Sequence, residues 1–95
     1  MRILHSFILF SVEIGGGTSD FIYKICKAQA KAGLKPDVLC GSYAFDINLA
    51  NSLDGVDFHV QKTFFHKNGF SIMPGLIKWC RNNLKKYDIV HMHVY

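Results

Sequence analysis

Apolar and polar positions alternate between two periods along this chain. Ile3, Leu4, Phe7, Ile8, Leu9 and Phe10 form an almost unbroken apolar run over Arg2–Phe10, the pattern of a central strand covered on both faces. Phe21, Ile22, Ile25, Cys26 and Gln29 then recur at helical spacing, with Lys24, Lys27 and Lys31 on the other side. That predicts a helix to about Ala32, stopped by Gly33 and Pro36. Asp37–Cys40 reads as a short strand ended by Gly41, and Phe45, Leu49 and Leu53 suggest a short helix within Ser42–Asn51. Val56–Gln61 alternates as a half-covered strand near a sheet edge, and Lys62–Phe70 reads as a loop. Pro74 opens a second helix with Leu76, Ile77, Cys80, Leu84 and Tyr87 along one side and Trp79 on its flank. Asp88–Val94 is the last strand.

The order β-α-β-(short α)-β-α-β predicts an α/β fold, an open parallel sheet of about four strands with flanking helices and right-handed crossovers. The whole of 1–95 reads as a single Rossmann-like domain. Ligands of such sheets bind beyond the carboxyl ends of the strands, at the switch point. The segment after the first strand and the end of the last strand both belong there.

That gives weight to Gly15-Gly16-Gly17-Thr18-Ser19-Asp20, read as the end of a loop over Ser11–Gly17 and the start of a helix capped by Thr18 or Ser19. Three glycines leave the backbone open to a ligand, and the N–H groups of a helix start suit a phosphate. The dinucleotide fingerprint is not met, because Asp20 stands at the third glycine position and Cys40-Gly41-Ser42 replaces the expected acid. A P-loop is excluded for want of a glycine-lysine-serine/threonine sequence. Glu13 could hold a hydroxyl of a polar ligand or be simply solvated.

His91 and His93 lie two apart on a strand and share a face. They read as polar recognition or acid/base groups, or as satisfied buried histidines. A third ligand at matching spacing is missing, so no metal is expected. His5, His59 and His66 read as structural or exposed.

Composition narrows the class. The chain is 49% hydrophobic and 19% charged, which argues against disorder. Its apolar runs fall short of the ~20 residues needed to span a bilayer. Met1-Arg2-Ile3-Leu4 is followed by His5 and Ser6 and by no small-residue cleavage site, so a cytoplasmic start is expected rather than a signal peptide. Cys26, Cys40 and Cys80 form no CxxC pair and fit buried thiols in a reducing compartment. A net charge of +4 leans toward anionic partners. The basic face Lys78, Arg81, Lys85 and Lys86 could touch the inner face of a membrane, although a solvated helix face is the better account of it. No aromatic–basic pattern points to nucleic acid.

Three features taken together resemble a known family: the N-terminal strand leading through Gly-Gly into a helix, the pattern Ala30-x-x-Gly33-x-x-Pro36-Asp37-Val38-Leu39, and the strand Asp88-Ile89-Val90-His91-Met92-His93. They resemble the N-terminal Rossmann-like domain of family 4 (group 1) glycosyltransferases with the GT-B fold. The resemblance implies retaining sugar transfer from a nucleotide-sugar donor to a polysaccharide or glycolipid acceptor, with no metal and no cofactor. It sets Gly15, Gly16 and Gly17 beside the donor diphosphate and His93, then His91, at the reaction centre. Leu34-Lys35 departs from the family, many of whose members have a histidine there. The remainder of that domain and the whole C-terminal donor domain are missing, so the chain reads as a fragment of a larger two-domain enzyme, inactive alone. The alternatives are a small α/β nucleotide- or phosphate-binding module without catalysis and an association domain whose exposed sheet edge pairs with another copy.

Overall fold

The structure, a computed structural model, describes residues 1–67 and 70–93, with the backbone alone for 12–15 and 70. Among the described residues six strands and three helices follow one another as β1 (Arg2–Ser6), α1 (Val12–Lys31), β2 (Lys35–Gly41), α2 (Ile47–Asn51), β3 (Asp57–Gln61), β4 (Phe65–Lys67), β5 (Phe70–Ile72), α3 (Leu76–Asn83) and β6 (Ile89–Met92). A 3₁₀ turn, Leu84–Lys86, links α3 to β6.

Four of the strands form one parallel sheet in the order β3-β2-β1-β6. The chain builds outward from β1 to β2 and β3, then returns to the other side of β1. This is an open Rossmann-like sheet, with its switch point between β1 and β6. In register, His5 of β1 lies between Val38 of β2 and His91 of β6. Helix α1 covers the face that carries His5, whose ring bonds Gln29 of that helix. The region of α3 covers the other face, where Tyr87 bonds Asp37 and Trp79 packs on His59.

The core lies chiefly between α1, β2 and the segment after β1. Phe7, Leu9, Phe10, Ile22, Cys26, Val38 and Cys40 are buried together with Ala50, Leu53 and Val56. Phe10 is fully buried, with its ring 4.9 Å from that of Phe58; losing such a side chain costs ~3–5 kcal/mol. Burial, as expected for thiols in such a core, raises Cys26 and Cys40 to about 12.

The boundaries differ from the sequence reading in ways that have physical causes. Strand β1 stops at Ser6 instead of Phe10. Phe7, Leu9 and Phe10 stay buried, but beyond Phe7 N, which donates to Leu39 O at 3.1 Å, the segment leaves the ladder and turns so that Gly41 N donates to Ile8 O at 3.0 Å. A Cβ on Gly41 would fall 2.7 Å from Ile8 O, so glycine permits this approach. Helix α1 ends as expected: Gly33 has φ +84°, Leu34 N bonds Gln29 O and Gly33 N bonds Ala30 O, a Schellman closure. The expected loop over residues 62–70 instead contributes the antiparallel pair β4–β5, with Phe65 opposite Ile72. Helix α3 starts at Leu76, after Pro74 and an N-capping Gly75. Ile77, expected on its apolar side, is 74% exposed. β6 is the sheet edge, and Ile89, Val90 and Met92 on it are exposed.

No helix among the described residues is long and apolar enough to cross a membrane.

Candidate functional site

The glycine stretch is not the loop that its composition suggests. Helix begins at Val12, and the chain bends inside it at Gly16, whose φ of 59° and ψ of −138° lie outside the helical region. Only glycine takes that conformation without strain. Gly15 therefore belongs to the turn before the bend, and residue 17 opens the longer segment after it. Nor do Thr18 and Ser19 cap a helix that starts there. Ser19 is fully buried; its Oγ accepts from Ser11 N at 3.2 Å and donates to Leu9 O at 3.5 Å, tying α1 to the segment that leaves β1.

The bend brings α1 to the carboxyl end of β6. Gly17, Thr18 and Phe21 share an open cleft of about 380 Å³ with His91, Met92 and His93. Two parts of the chain that are distant in sequence thus meet at the switch point between β1 and β6. Phe21, expected in the core, is half exposed instead, its ring 5.8 Å from that of His93 in an edge-on contact. His93 follows the last ladder residue of β6, and its N–H still donates to Ser6 O at 2.9 Å. The side chain of Glu13 lies outside the described residues, as do Val94 and Tyr95 of the expected last strand.

Sequence reasoning missed His5 as a member of this site. It is 1% exposed and projects from the middle of the sheet toward α1. Its Nε2 lies 2.8 Å from Gln29 Oε1 and its Nδ1 lies 3.0 Å from His93 Nε2. An amide oxygen can only accept, so His5 carries its proton on Nε2 and its Nδ1 lone pair accepts from His93 Nε2–H. His93 is then left with a bare Nδ1. The ring of His91 stacks on that of His93 with centroids 4.0 Å apart. The signal for His5 was a polar residue, followed by Ser6, inside an otherwise apolar run. What the sequence lacks is the strand order, which sets His5 beside His91.

Electrostatics keep His5 and His93 neutral. Burial lowers the pKa of His5, against the effect of the Gln29 bond, and His91 lowers it further. Burial, then His91 and His5, push His93 down to about 4. With no carboxylate among these partners, each added proton would meet desolvation and a like charge.

A second polar cluster sits on the opposite face. Asp37, 1% exposed, accepts from Tyr87 Oη at 2.7 Å and pairs with His59 Nε2 at 3.1 Å, with Arg2 at 3.5 Å. Burial, followed by the bond to Asp37, raises the Tyr87 phenol. These contacts hold β2, β3 and the approach to β6 together.

A groove of about 540 Å³ lies at the other end of the sheet, between Lys27, Lys31, Lys35 and Asp54. It sits where α1 ends, and the carbonyl end of a helix disfavours an anion. The lysines there complement the helix dipole.

Comparison with protein-family models, with curated proteins and with solved structures finds no match to this chain.

Proposed function

We propose that this chain forms the acceptor-side half of a sugar-transfer site, as the N-terminal domain of a retaining GT-B glycosyltransferase acting on a nucleotide sugar and a polysaccharide or glycolipid acceptor. The observation that carries this reading is the cleft in which Gly17 and Thr18 of the bent helix face His91 and His93 of β6. A helix start directs N–H groups and the positive end of its dipole at a ligand, which suits the diphosphate of a donor and the charge that develops on it as it leaves. A neutral His93 whose Nε2–H is committed to His5 keeps its Nδ1 as an acceptor for a sugar hydroxyl. In such an enzyme a second domain supplies the remaining donor contacts, and the half formed here positions substrate. A peripheral station at the cytoplasmic face of a membrane fits a glycolipid acceptor and the basic residues Lys78, Arg81, Lys85 and Lys86.

The test is sugar transfer by the intact gene product, assayed with a panel of nucleotide sugars against oligosaccharide and lipid-linked acceptors. We expect transfer, reduced by roughly 10²-fold or more in His93→Ala. Absence of transfer from every donor, or an unchanged rate in His93→Ala, refutes the reading. A second reading, association through the β6 edge, is favoured by the exposure of Ile89, Val90 and Met92. Light scattering that finds only monomer removes it.

A further inference from the structure

The expectation of no metal rested on the lack of a third ligand for His91 and His93. The fold supplies one. One ring nitrogen from each of His5, His91 and His93 lies within 4.8 Å of the others. His5 and His91 are register partners on adjacent strands, and His93 follows β6 with its ring against that of His5 on the face covered by α1. From this geometry we infer that His5, His91 and His93 bind a divalent late first-row transition ion, of which zinc is the representative, at the carboxyl end of β1 and β6.

Three arguments support the assignment. The first is distance. Two imidazole nitrogens bound tetrahedrally to one ion at about 2.0–2.1 Å stand about 3.3 Å apart. His5 Nδ1 and His93 Nε2 are already 3.0 Å apart, so they need separate by only a few tenths of an ångström. His91 sits on the edge strand, exposed and able to swing inward. The second is orientation. Gln29 Oε1 accepts the Nε2 proton of His5 at 2.8 Å, which leaves the Nδ1 lone pair aimed into the cluster. This is the outer-shell hydrogen bond that ligating histidines ordinarily have. The third is donor chemistry. Three imidazoles, with no carboxylate, favour zinc, cobalt, nickel or copper over magnesium or calcium.

Coordination and the hydrogen-bond chain exclude each other. The ion takes the place of the proton between His93 and His5, and His93 carries that proton on Nδ1 instead, with no net proton released. Three protein ligands leave a fourth position open. The cleft beside it is lined by Gly17, Thr18 and Phe21. This inference does not depend on sugar transfer, and its test uses no sugar.

The experiment is titration of the untagged, EDTA-stripped chain with Zn²⁺ by calorimetry and with Co²⁺ by visible absorption. We expect saturation at a single ion per chain and the intense d–d bands of a four-coordinate cobalt site. His91→Ala and His93→Ala should each abolish that signal, and Gln29→Leu should weaken binding about ten- to a hundredfold. His59→Ala and His66→Ala should bind as the parent does. His5→Ala removes a buried residue and can unfold the chain, so the exposed His91 is the decisive position. Absence of saturable binding overturns the inference. So does binding undiminished by either His91→Ala or His93→Ala, or binding lost equally in His59→Ala or His66→Ala.

Discussion

His5 Nδ1 lies 3.0 Å from His93 Nε2, although 88 positions separate them in the chain. The bond exists because β6 returns to the side of β1 away from β2. It closes one end of a chain that begins at Gln29 of α1, so a single line of hydrogen bonds joins the helix to the middle and the edge of the sheet.

That line has a pH dependence of definite sign in the metal-free protein. His5 and His93 have folded-state pKa values below the ordinary 6.5, with His93 at about 4. The unfolded chain therefore binds more protons than the folded one in this range. The contribution is fully present above pH 6.5 and is lost as pH falls toward 4. Urea unfolding in EDTA should show stability dropping between those values, with a shallower slope in His93→Gln. Equal slopes in the parent and the variant contradict the neutral pair.

The bend in α1 makes a prediction that separates two adjacent glycines. Neither Gly16 nor Gly17 has an atom near the position of an added Cβ, so space does not distinguish them. Gly16 alone has positive φ, at +59°. Gly16→Ala should cost ~1–3 kcal/mol of unfolding free energy through backbone strain. Gly17→Ala should cost less, and denaturant melts of the two variants compare them directly. Equal losses would falsify the bend.

On the other face, Tyr87 Oη donates to the buried Asp37 carboxylate at 2.7 Å. Removing a hydrogen bond to a charged group costs ~1.5–3 kcal/mol. Asp37 Oδ1 has no hydrogen-bond partner of its own among the described residues. Loss of the Tyr87 bond therefore leaves the carboxylate more dependent on His59 and Arg2. Tyr87→Phe should lower thermal stability by that amount without unfolding the sheet, and an unchanged melting temperature contradicts the role given to Asp37.

Elements with a long repeat were legible in the sequence, and contacts set by strand order were not. The helical stripe read from Phe21 to Gln29 and the stop at Gly33 both survive in α1, except that Phe21 is half exposed. The meeting of the glycine segment with His91 and His93 follows from a rule about parallel sheets. Three things escaped. Three glycines suggest a loop, since glycine weakens a helix, yet the segment is helical on both sides of a single bent residue. Each strand of the β4–β5 pair has only three residues, too few for alternation to show. The Asn68-Gly69 dipeptide between them is the hairpin signal that could have found it. His5 looked like an interruption in an apolar run because nothing local tells which strand lies beside β1.

The cleft between the bent helix and β6 is the centre of this account, and ¹H–¹⁵N NMR of the chain titrated with nucleotide sugars tests it most directly. We expect shift changes at Gly16, Gly17, Thr18, Phe21, His91 and His93. Changes confined to the groove of Lys27, Lys31 and Lys35, or no changes up to millimolar ligand, would contradict it.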